Sequence, residues 1–204
     1  MENCPFCDRA KFEERIITET NDFFVIATLG QITDGGYTLI FPKRHVKCLT
    51  ALGEEESVQL YSLLLSLQHA TGLEYGIFPA LFEHGIDGQT VEHAHMHIIP
   101  ANVDLTEYVK KDYPGAHFSR FRIFNGDVLR MRATEPIPYL LWRPSGGLEF
   151  TNILWHPRGV PAQYFRTRLA EALGRPERAN WRTMDPELDK RLWSETVARM
   201  KKHF

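Results

Sequence analysis

The sequence lacks any apolar run close to the roughly 20 residues that a membrane-spanning helix needs. Its first residues, Met1 to Pro5, are neither basic nor apolar, which argues against a secretory or transit peptide. It also has no internal repeat and no low-complexity tract, which excludes solenoids and disordered arrays. These absences predict a soluble, cytoplasmic globular protein. Its 204 residues suffice for one domain, or for a compact domain that carries a long extension.

The formal net charge is only −2, but the charges are unevenly distributed along the chain. Residues 1–110 carry 7 Lys and Arg against 16 Asp and Glu, whereas residues 111–204 carry 17 against 10. Thirteen of those 17 basic residues are Arg, the side chain best suited to planar contacts with phosphate or carboxylate. Two interpretations follow: the second part docks on the acidic first part, or a few of its arginines face a phosphate-bearing ligand.

Hydrophobic periodicity predicts an antiparallel sheet with a flanking helix in the first part, followed by a β/α extension. In the first part the expected order is ββαββ, with strands at 23–27, 37–41, 76–83 and 93–99 and a helix from Glu54 to Gly72. In the second part we expect strands near 118–124, 139–142 and 148–154, turns at 125–127 and 144–147, and helices that start at Pro161 and Asp185. The predicted fold class is therefore α+β.

Three histidines that alternate with apolar residues carry the densest chemical signal. Strand alternation would put His93, His95 and His97 on one face of a strand. Three imidazoles on one face would be costly to bury without a function. Neutral imidazole is both a common metal ligand and a nucleophile near pH 7, so metal ligation and phosphate chemistry are the two interpretations.

Cys4 and Cys7 have the Cys-x-x-Cys spacing of a zinc knuckle. With no sign of secretion a disulfide is the weaker explanation, and two free surface cysteines are the other alternative. A tetrahedral zinc site needs two more ligands. Cys48 is expected to be a small buried hydrophobe.

The histidine segment resembles the histidine triad (HIT) superfamily, whose signature is three histidines alternating with apolar residues. Residues 88–91, residues 42–46 and the ββαββ order are similar to the same family, so the resemblance covers about residues 1–105. It implies a HIT domain at 1–110, with 111–204 as an Arg-rich extension packed on it. It also implies a homodimer whose ligand is a nucleotide or another phosphate-bearing small molecule.

The resemblance implies that the protein is an enzyme, a nucleotidyl hydrolase or transferase. His95 would attack an α-phosphorus and become nucleotidylated, with its ring oriented by the backbone carbonyl of His93. His97, Thr90 and Gln89 would neutralise charge on the phosphate oxygens. The bond cleaved would be a phosphoanhydride or a phosphoramidate, as in a dinucleoside polyphosphate.

Two positions depart from the family pattern. Leu29 stands where many members have an acidic residue that binds the ribose hydroxyls, and Phe82 stands where an amide side chain is common. His84, close to Phe82, would supply an additional acid, base or phosphate contact, or else belong to an ordinary surface pair. Phe23 is a further candidate substrate contact.

Some bacterial HIT proteins, which this chain resembles, combine two such cysteines with the histidine after Pro-Lys and with the first triad histidine. The resemblance therefore implies His45 and His93 as the zinc ligands that accompany Cys4 and Cys7. A Cys₂His₂ set leaves no open position, so this zinc would be structural.

The extension is similar, through residues 161–166 and 180–182, to the C-terminal parts of longer dinucleoside polyphosphate phosphorylases. On that basis Gln163, Arg166 and Arg182 are expected to reach the leaving phosphates of a long substrate. Four alternative functions stay open: phosphorolysis, a lyase or synthase of a biosynthetic pathway, a non-catalytic nucleotide-binding module, and processing of nucleic-acid ends. The near-neutral total charge and the lack of a lysine-rich stripe disfavour nucleic acid.

Overall fold

The structure, a computed structural model, describes residues 4–122, 137–146 and 150–204. Within these ranges the strands are β1 Ile16–Glu19, β2 Phe23–Ala27, β3 Thr38–Pro42, β4 Ala80–His84, β5 Met96–Ile99, β6 Phe118–Arg122, β7 Tyr139–Arg143 and β8 Phe150–Trp155. The α-helices are α1 Glu54–Tyr75, α2 Thr106–Asp112, α3 Tyr164–Ala172 and α4 Pro186–Met200. In the described part of the chain, no helix has the length and apolar character needed to cross a membrane.

The eight described strands form one sheet, in the order β1-β2-β3-β5-β4-β7-β8-β6. All neighbouring strands run antiparallel. β7 pairs with β4, with Trp142 opposite Phe82 and Leu141 opposite Glu83, so the sheet of the first part continues into the second. The predicted α+β fold is confirmed, whereas the division near residue 110 stays a prediction.

Two hydrophobic layers cover the two faces of this sheet. On one face, α1 packs Leu60 and Leu67 against strand residues such as Val25. On the other face, Val109 of α2 and Phe165 of α3 pack in a layer that includes Ile26. Because successive strand residues point to opposite faces, β2 is buried along its whole length, which explains its continuous apolar sequence.

The strand expected at 76–83 begins only at Ala80, and the helix expected from Pro161 begins at Tyr164. Three further elements differ from the sequence prediction. α1 continues past Gly72 and ends at Tyr75. The next residue, Gly76, caps the helix, and its φ of +67° is the left-handed conformation that glycine adopts at helix C-termini. The additional turn is held by the C-terminal segment, since Arg199 lies 4.4 Å from the Tyr75 ring centre. β1 was not predicted, because it is a four-residue edge strand.

The third difference concerns the histidine strand, which was predicted to begin at His93. β5 begins only at Met96. Before it, the backbone N–H of Ala94 donates to the carbonyl of Val46, at 2.7 Å, which departs from the β3–β5 ladder. The predicted turn at 125–127 and parts of the expected strands at 118–124 and 148–154 lie outside the described residues.

The two oppositely charged parts of the chain are joined by ion pairs. Asp34 bonds Arg175 at 2.6 Å and Arg178 at 2.9 Å, and Glu74 bonds Lys202 at 2.8 Å. Each pair has at least one partner that is exposed or partly exposed, and surface pairs contribute roughly 0 to 1 kcal/mol each, so these pairs orient the second part more than they stabilise it. These contacts support the first of the two interpretations, in which the basic part docks on the acidic part.

A buried contact between the two parts lies after β2. Asp189 of α4 accepts hydrogen bonds from the backbone N–H groups of Gly30 and Gln31, at 2.9 and 3.0 Å. A Cβ at Gly30 would lie 2.4 Å from Cβ of Trp181, and its φ is +70°, so only glycine permits this close approach. The segment after β2 is therefore shaped to receive the C-terminal residues.

The buried carboxyl group of Glu83 makes the stability of this fold depend on pH. Its carboxyl group is fully buried and accepts hydrogen bonds from the Tyr139 hydroxyl and the Leu49 backbone N–H. Burial raises its pKa from 4.5 to about 8, so the folded protein retains a proton that the unfolded chain releases above pH 4.5. The stabilising contribution of this group is complete below pH 4.5 and is lost as the pH rises through 8.

We expect Glu83→Gln, which cannot ionise, to remove this pH dependence. Denaturant unfolding of the unmodified protein and of Glu83→Gln is measured between pH 5 and 8.5, about once per half pH unit. It gives the difference in unfolding free energy between the two proteins. That difference should shift in favour of the variant as the pH rises. A difference that stays constant across the range would contradict the raised pKa.

Candidate active site and metal centre

Cys4, Cys7, His45 and His93 are brought together at the N-terminal end of the chain. Their ligand atoms all lie within 4.8 Å of one another. The sulfur of Cys4 lies 3.4 Å from Nδ1 of His93, and the sulfur of Cys7 lies 3.4 Å from Nδ1 of His45 and 3.6 Å from Nδ1 of His93. The predicted ligand set is thus assembled from three distant parts of the sequence.

The geometry and protonation of this cluster fit zinc. Zn–S and Zn–N bonds of about 2.3 and 2.0 Å at tetrahedral angles place sulfur and nitrogen about 3.6 Å apart, close to the observed distances. Nε2 of His93 donates to the carbonyl of Pro42 at 2.8 Å, which leaves the lone pair of Nδ1 directed at the cysteines. Outer hydrogen bonds of this kind orient metal-binding histidines. The donor set confirms the predicted structural zinc site.

His95 is held with one ring nitrogen bound and the other free. Its Nδ1 lies 2.6 Å from the carbonyl of His93, and because a carbonyl only accepts, Nδ1 carries the hydrogen. Nε2 therefore has the lone pair. Burial lowers the pKa of His95 to about 4, so the ring is neutral near pH 7. A neutral imidazole with a bare nitrogen is a competent nucleophile.

His95 lines a cavity of about 280 Å³ between the N-terminal loop, the sheet and the C-terminal segment. The cavity has apolar walls and a cationic, imidazole-bearing part, and its lining residues are Pro5, Phe6, Lys11, Arg15, Thr28, Leu29, Leu39, Thr90, Val91, His95, His97, Arg166 and Trp181. Among these described residues none is Asp or Glu. Such a cavity suits an anionic ligand with a flat or apolar part.

His97 lies beside His95, with ring centres 4.8 Å apart. Its ring stacks on Phe82, at 4.2 Å and 21°, and its Nδ1 lies 2.7 Å from the Tyr37 hydroxyl. Burial holds the pKa of His97 well below its usual value, so it too is neutral. Phe82, where an amide was expected by resemblance, thus fixes the plane of a histidine ring instead of contacting phosphate.

Thr90 and Gln89 were both predicted to contact the phosphate, but only Thr90 lies in the cavity lining. Thr90 lines the cavity with His95. The side-chain N–H₂ of Gln89 instead donates to the carbonyls of Lys47 and His84, both at 2.8 Å. Its donors are therefore used to hold two loops together, which corrects the expectation that they face a phosphate.

His84 and Phe23 lie outside the cavity lining. Nε2 of His84 accepts a hydrogen bond from the backbone N–H of Phe165, at 3.1 Å, and burial lowers the pKa of His84 to about 3. The ring is therefore occupied in positioning the first turn of α3. Phe23 is 0% exposed in the layer under α1, on the face opposite to Phe82, so it is a core residue and not a substrate contact.

Of the three extension residues predicted to contact substrate, Arg166 lines the cavity. Its guanidinium donates to the carbonyls of Gly30 and Ala179, at 2.8 and 3.2 Å. Arg182 is exposed and lies over the Trp181 ring, and Gln163 is the residue before α3, where its backbone N–H donates to Gly88. Of these three residues the structure places Arg166 in the cavity lining, and contact with a substrate stays a prediction.

The sequence analysis did not identify Phe6, Arg15 and Trp181, which line the cavity, or Tyr37, which contacts His97. Phe6 lies between the two zinc-binding cysteines, with its ring 5.3 Å from that of His95. Trp181 lies in the segment 180–182 from which Arg182 was chosen. Its large aromatic ring in an otherwise polar stretch was the available signal.

The class of this protein is defined by its fold and its site. The fold is α+β with an antiparallel sheet, and the sheet carries a cluster of buried histidines beside a Cys₂His₂ site. Residues 9–103 match the family model of the HIT domain. The nitrilase and fragile histidine triad fusion protein NitFhit of Caenorhabditis elegans is 33% identical over 90 residues, which are 43% of this chain and 20% of that protein. The chain thus spans about a fifth of that relative's length.

Two solved structures are similar to part of this chain. A HIT family protein from Bacillus anthracis is 27% identical, with 48% of this chain and 73% of that chain covered and a TM-score of 0.44. A zinc-bound histidine triad family protein from Mycobacterium smegmatis is 24% identical, with 50% and 78% covered and a TM-score of 0.43. By the match of residues 9–103 to its model, the chain is similar to the HIT domain family.

Proposed function

We propose that the protein is a nucleotidyl hydrolase or transferase that forms a covalent intermediate on Nε2 of His95. The observation that carries this proposal is the hydrogen bond from Nδ1 of His95 to the carbonyl of His93, which leaves a neutral ring with a bare nitrogen at the cavity. A pure binding module does not need a nucleophile that is held in this way.

The proposed reaction has two displacements at one phosphorus. Nε2 attacks the α-phosphorus, the P–N bond forms, and the bond to the leaving group breaks, with the leaving group taking the bonding electron pair. Water then attacks the same phosphorus and the P–N bond breaks, with its electron pair returning to Nε2, so that His95 becomes neutral again. The water oxygen and one of its hydrogens stay on the nucleoside monophosphate, which leaves, and the other hydrogen is released to solvent as a proton. Covalent capture replaces one difficult displacement by two easier ones.

The positive side chains at the cavity would stabilise the charge that both displacements involve. Arg166 and Arg15 line it, and both are largely buried. Burial lowers the pKa of Arg15 to about 10, so it still carries its charge near pH 7. Buried, fixed donors are effective because they need little reorganisation during the reaction. The zinc, when bound, would supply no reacting group, because its four ligands fill the coordination sphere.

The same cavity lining indicates how the substrate would be selected. Leu29 lines the cavity where the resemblance would place an acidic residue for the ribose hydroxyls, and none of the described lining residues is acidic. Phe6 and Trp181 instead offer flat aromatic surfaces. We therefore propose that recognition depends on stacking of a base or a similar ring, and that ribonucleotides and 2′-deoxyribonucleotides are accepted alike.

Mass spectrometry of the intact protein tests the proposed function. Incubation with adenosine and guanosine polyphosphates, including dinucleoside polyphosphates, should add one nucleotidyl group per chain, and peptide mapping should place it on His95. Product analysis with and without inorganic phosphate distinguishes hydrolysis from phosphorolysis. The absence of both an adduct and turnover with all these nucleotides would exclude the proposal.

Trp181→Ala is expected to raise KM about 10-fold with kcat changed much less, since stacking of a base on an aromatic side chain is worth roughly 1 to 3 kcal/mol. Arg191→Ala is the control, because Arg191 belongs to the same part of the chain but is exposed and lies outside the cavity lining. Steady-state kinetics of both variants measure the effect. Equal KM values for Trp181→Ala and the unmodified protein would show that the second part of the chain does not contact the base.

A homodimer and the division into a HIT domain at 1–110 and an extension at 111–204 remain predictions. We propose that the extension does more than cover the domain, because Arg166 and Trp181 belong to it and line the cavity. Its role would then be to complete the site.

A further inference from the structure

Tyr37 is a buried residue of the site that the proposed reaction does not use. Its side chain is 0% exposed, and its hydroxyl lies 2.7 Å from Nδ1 of His97. Burial raises its pKa to about 12, so the hydroxyl keeps its hydrogen at any pH at which the protein would work. The contact therefore contains two possible donors, the hydroxyl and Nδ1, and only one hydrogen can lie between the two atoms.

Arg166 is the charged group close to this contact. Its guanidinium carbon lies 5.2 Å from the centre of the Tyr37 ring, and its positive charge acts on the hydroxyl. A cation beside a hydroxyl attracts the oxygen lone pairs and repels the hydrogen. An O–H that points away from Arg166 is available to donate to Nδ1 of His97, 2.7 Å away.

The consequence for His97 follows from the neutral state of its ring. If Nδ1 accepts the hydrogen bond, the single ring hydrogen resides on Nε2. His95 has the opposite tautomer, because the His93 carbonyl requires a hydrogen on its Nδ1. Two neighbouring imidazoles at one cavity would thus present a bare nitrogen and an N–H donor.

We propose that Tyr37, oriented by Arg166 from the extension, is a positioning residue that fixes His97 as the Nε2–H tautomer. This inference rests on the proposed function, within which that N–H donates to a phosphate oxygen while His95 attacks. It also explains why a buried arginine of the second part lies close to a histidine of the first part. The extension would then set the hydrogen-bonding state of the HIT domain and not only its shape.

The test uses ¹⁵N NMR of protein labelled at histidine nitrogens, with the signals of His97 assigned by their absence in His97→Asn. In the unmodified protein we expect a protonated Nε2 and an unprotonated Nδ1 for His97, which their chemical shifts distinguish. In Tyr37→Phe we expect this tautomer preference to be lost. Turnover of Tyr37→Phe should fall about 10- to 100-fold, as is typical when the partner that orients a site histidine is removed, with KM changed less than about 3-fold.

Tyr164→Phe is the matched control, since it also removes a tyrosine hydroxyl with a hydrogen bond, to Asp112 at 2.8 Å, but not one to His97. It should leave the His97 shifts and turnover unchanged. A protonated Nδ1 on His97 in the unmodified protein would overturn the proposal, and this result needs no variant to fold. So would unchanged His97 shifts and unchanged turnover in Tyr37→Phe. Because the shifts are read without substrate, failure of the tautomer inference is distinguishable from failure of the proposed function, which the nucleotidyl adduct decides.

Discussion

Replacing His95 with Asn is expected to abolish the nucleotidyl adduct and to lower turnover by at least about 10³-fold, the scale seen when a covalent nucleophile is removed. Asn can still donate an N–H to the carbonyl of His93, which Nδ1 of His95 contacts at 2.6 Å. The Asn side chain has no nitrogen at the position of Nε2. The variant therefore removes the attacking nitrogen while it keeps the anchoring hydrogen bond.

Two further variants make the His95 result specific. His69→Asn changes an exposed histidine on α1 and should behave like the unmodified protein. His97→Asn should still form the adduct, but more slowly, because the proposed N–H donor is lost while the nucleophile remains. An adduct of unchanged yield in His95→Asn, or turnover within about 10-fold of the unmodified protein, would contradict the proposed mechanism.

The fold was largely predictable because its signals are local. The strands at 23–27 and 139–143 and the helix from Asp185 follow from side-chain periodicity and capping, and Asp185 does accept the capping hydrogen bond from Leu188. The end of α1 was not predictable in this way. Gly72 is a local stop signal, but contacts of Glu74 and Tyr75 with the C-terminal segment outweigh it.

The candidate site shows the same contrast between local sequence signals and tertiary contacts. The family resemblance implied that the His95 ring is oriented by the His93 carbonyl, and Nδ1 of His95 lies 2.6 Å from that oxygen. Tyr37, Arg166 and Trp181 meet there only after β3, α3 and the segment before α4 have been packed, and nothing in local sequence specifies that meeting. Gln89 shows the converse: the residue type was suitable, but two carbonyls in the fold compete for its donors.

Replacing both Cys4 and Cys7 with Ser is expected to reduce bound zinc from about one ion per chain to near zero. If zinc normally exceeds its dissociation constant about 1,000-fold, its loss removes about 4 kcal/mol of stability, which lowers Tm by on the order of 10 °C in a chain of this size. Metal analysis and thermal unfolding measure the two effects. Cys48→Ser is the matched control, because Cys48 is buried beside Thr50 and lies outside the four-residue cluster.

The double cysteine variant should also separate the metal's role from that of the nucleophile. Phe6 lies between the two cysteines, and its ring is 5.3 Å from that of His95, so loss of zinc releases one wall of the cavity. KM should therefore rise, while the adduct still forms on His95 at saturating substrate. Loss of the adduct in a variant that remains folded would mean that the metal takes part in the reaction. Zinc retained at one ion per chain would mean that other residues bind it. The expected combination, a weaker substrate contact with the same covalent chemistry, follows from a closed Cys₂His₂ set that holds Phe6 against the site.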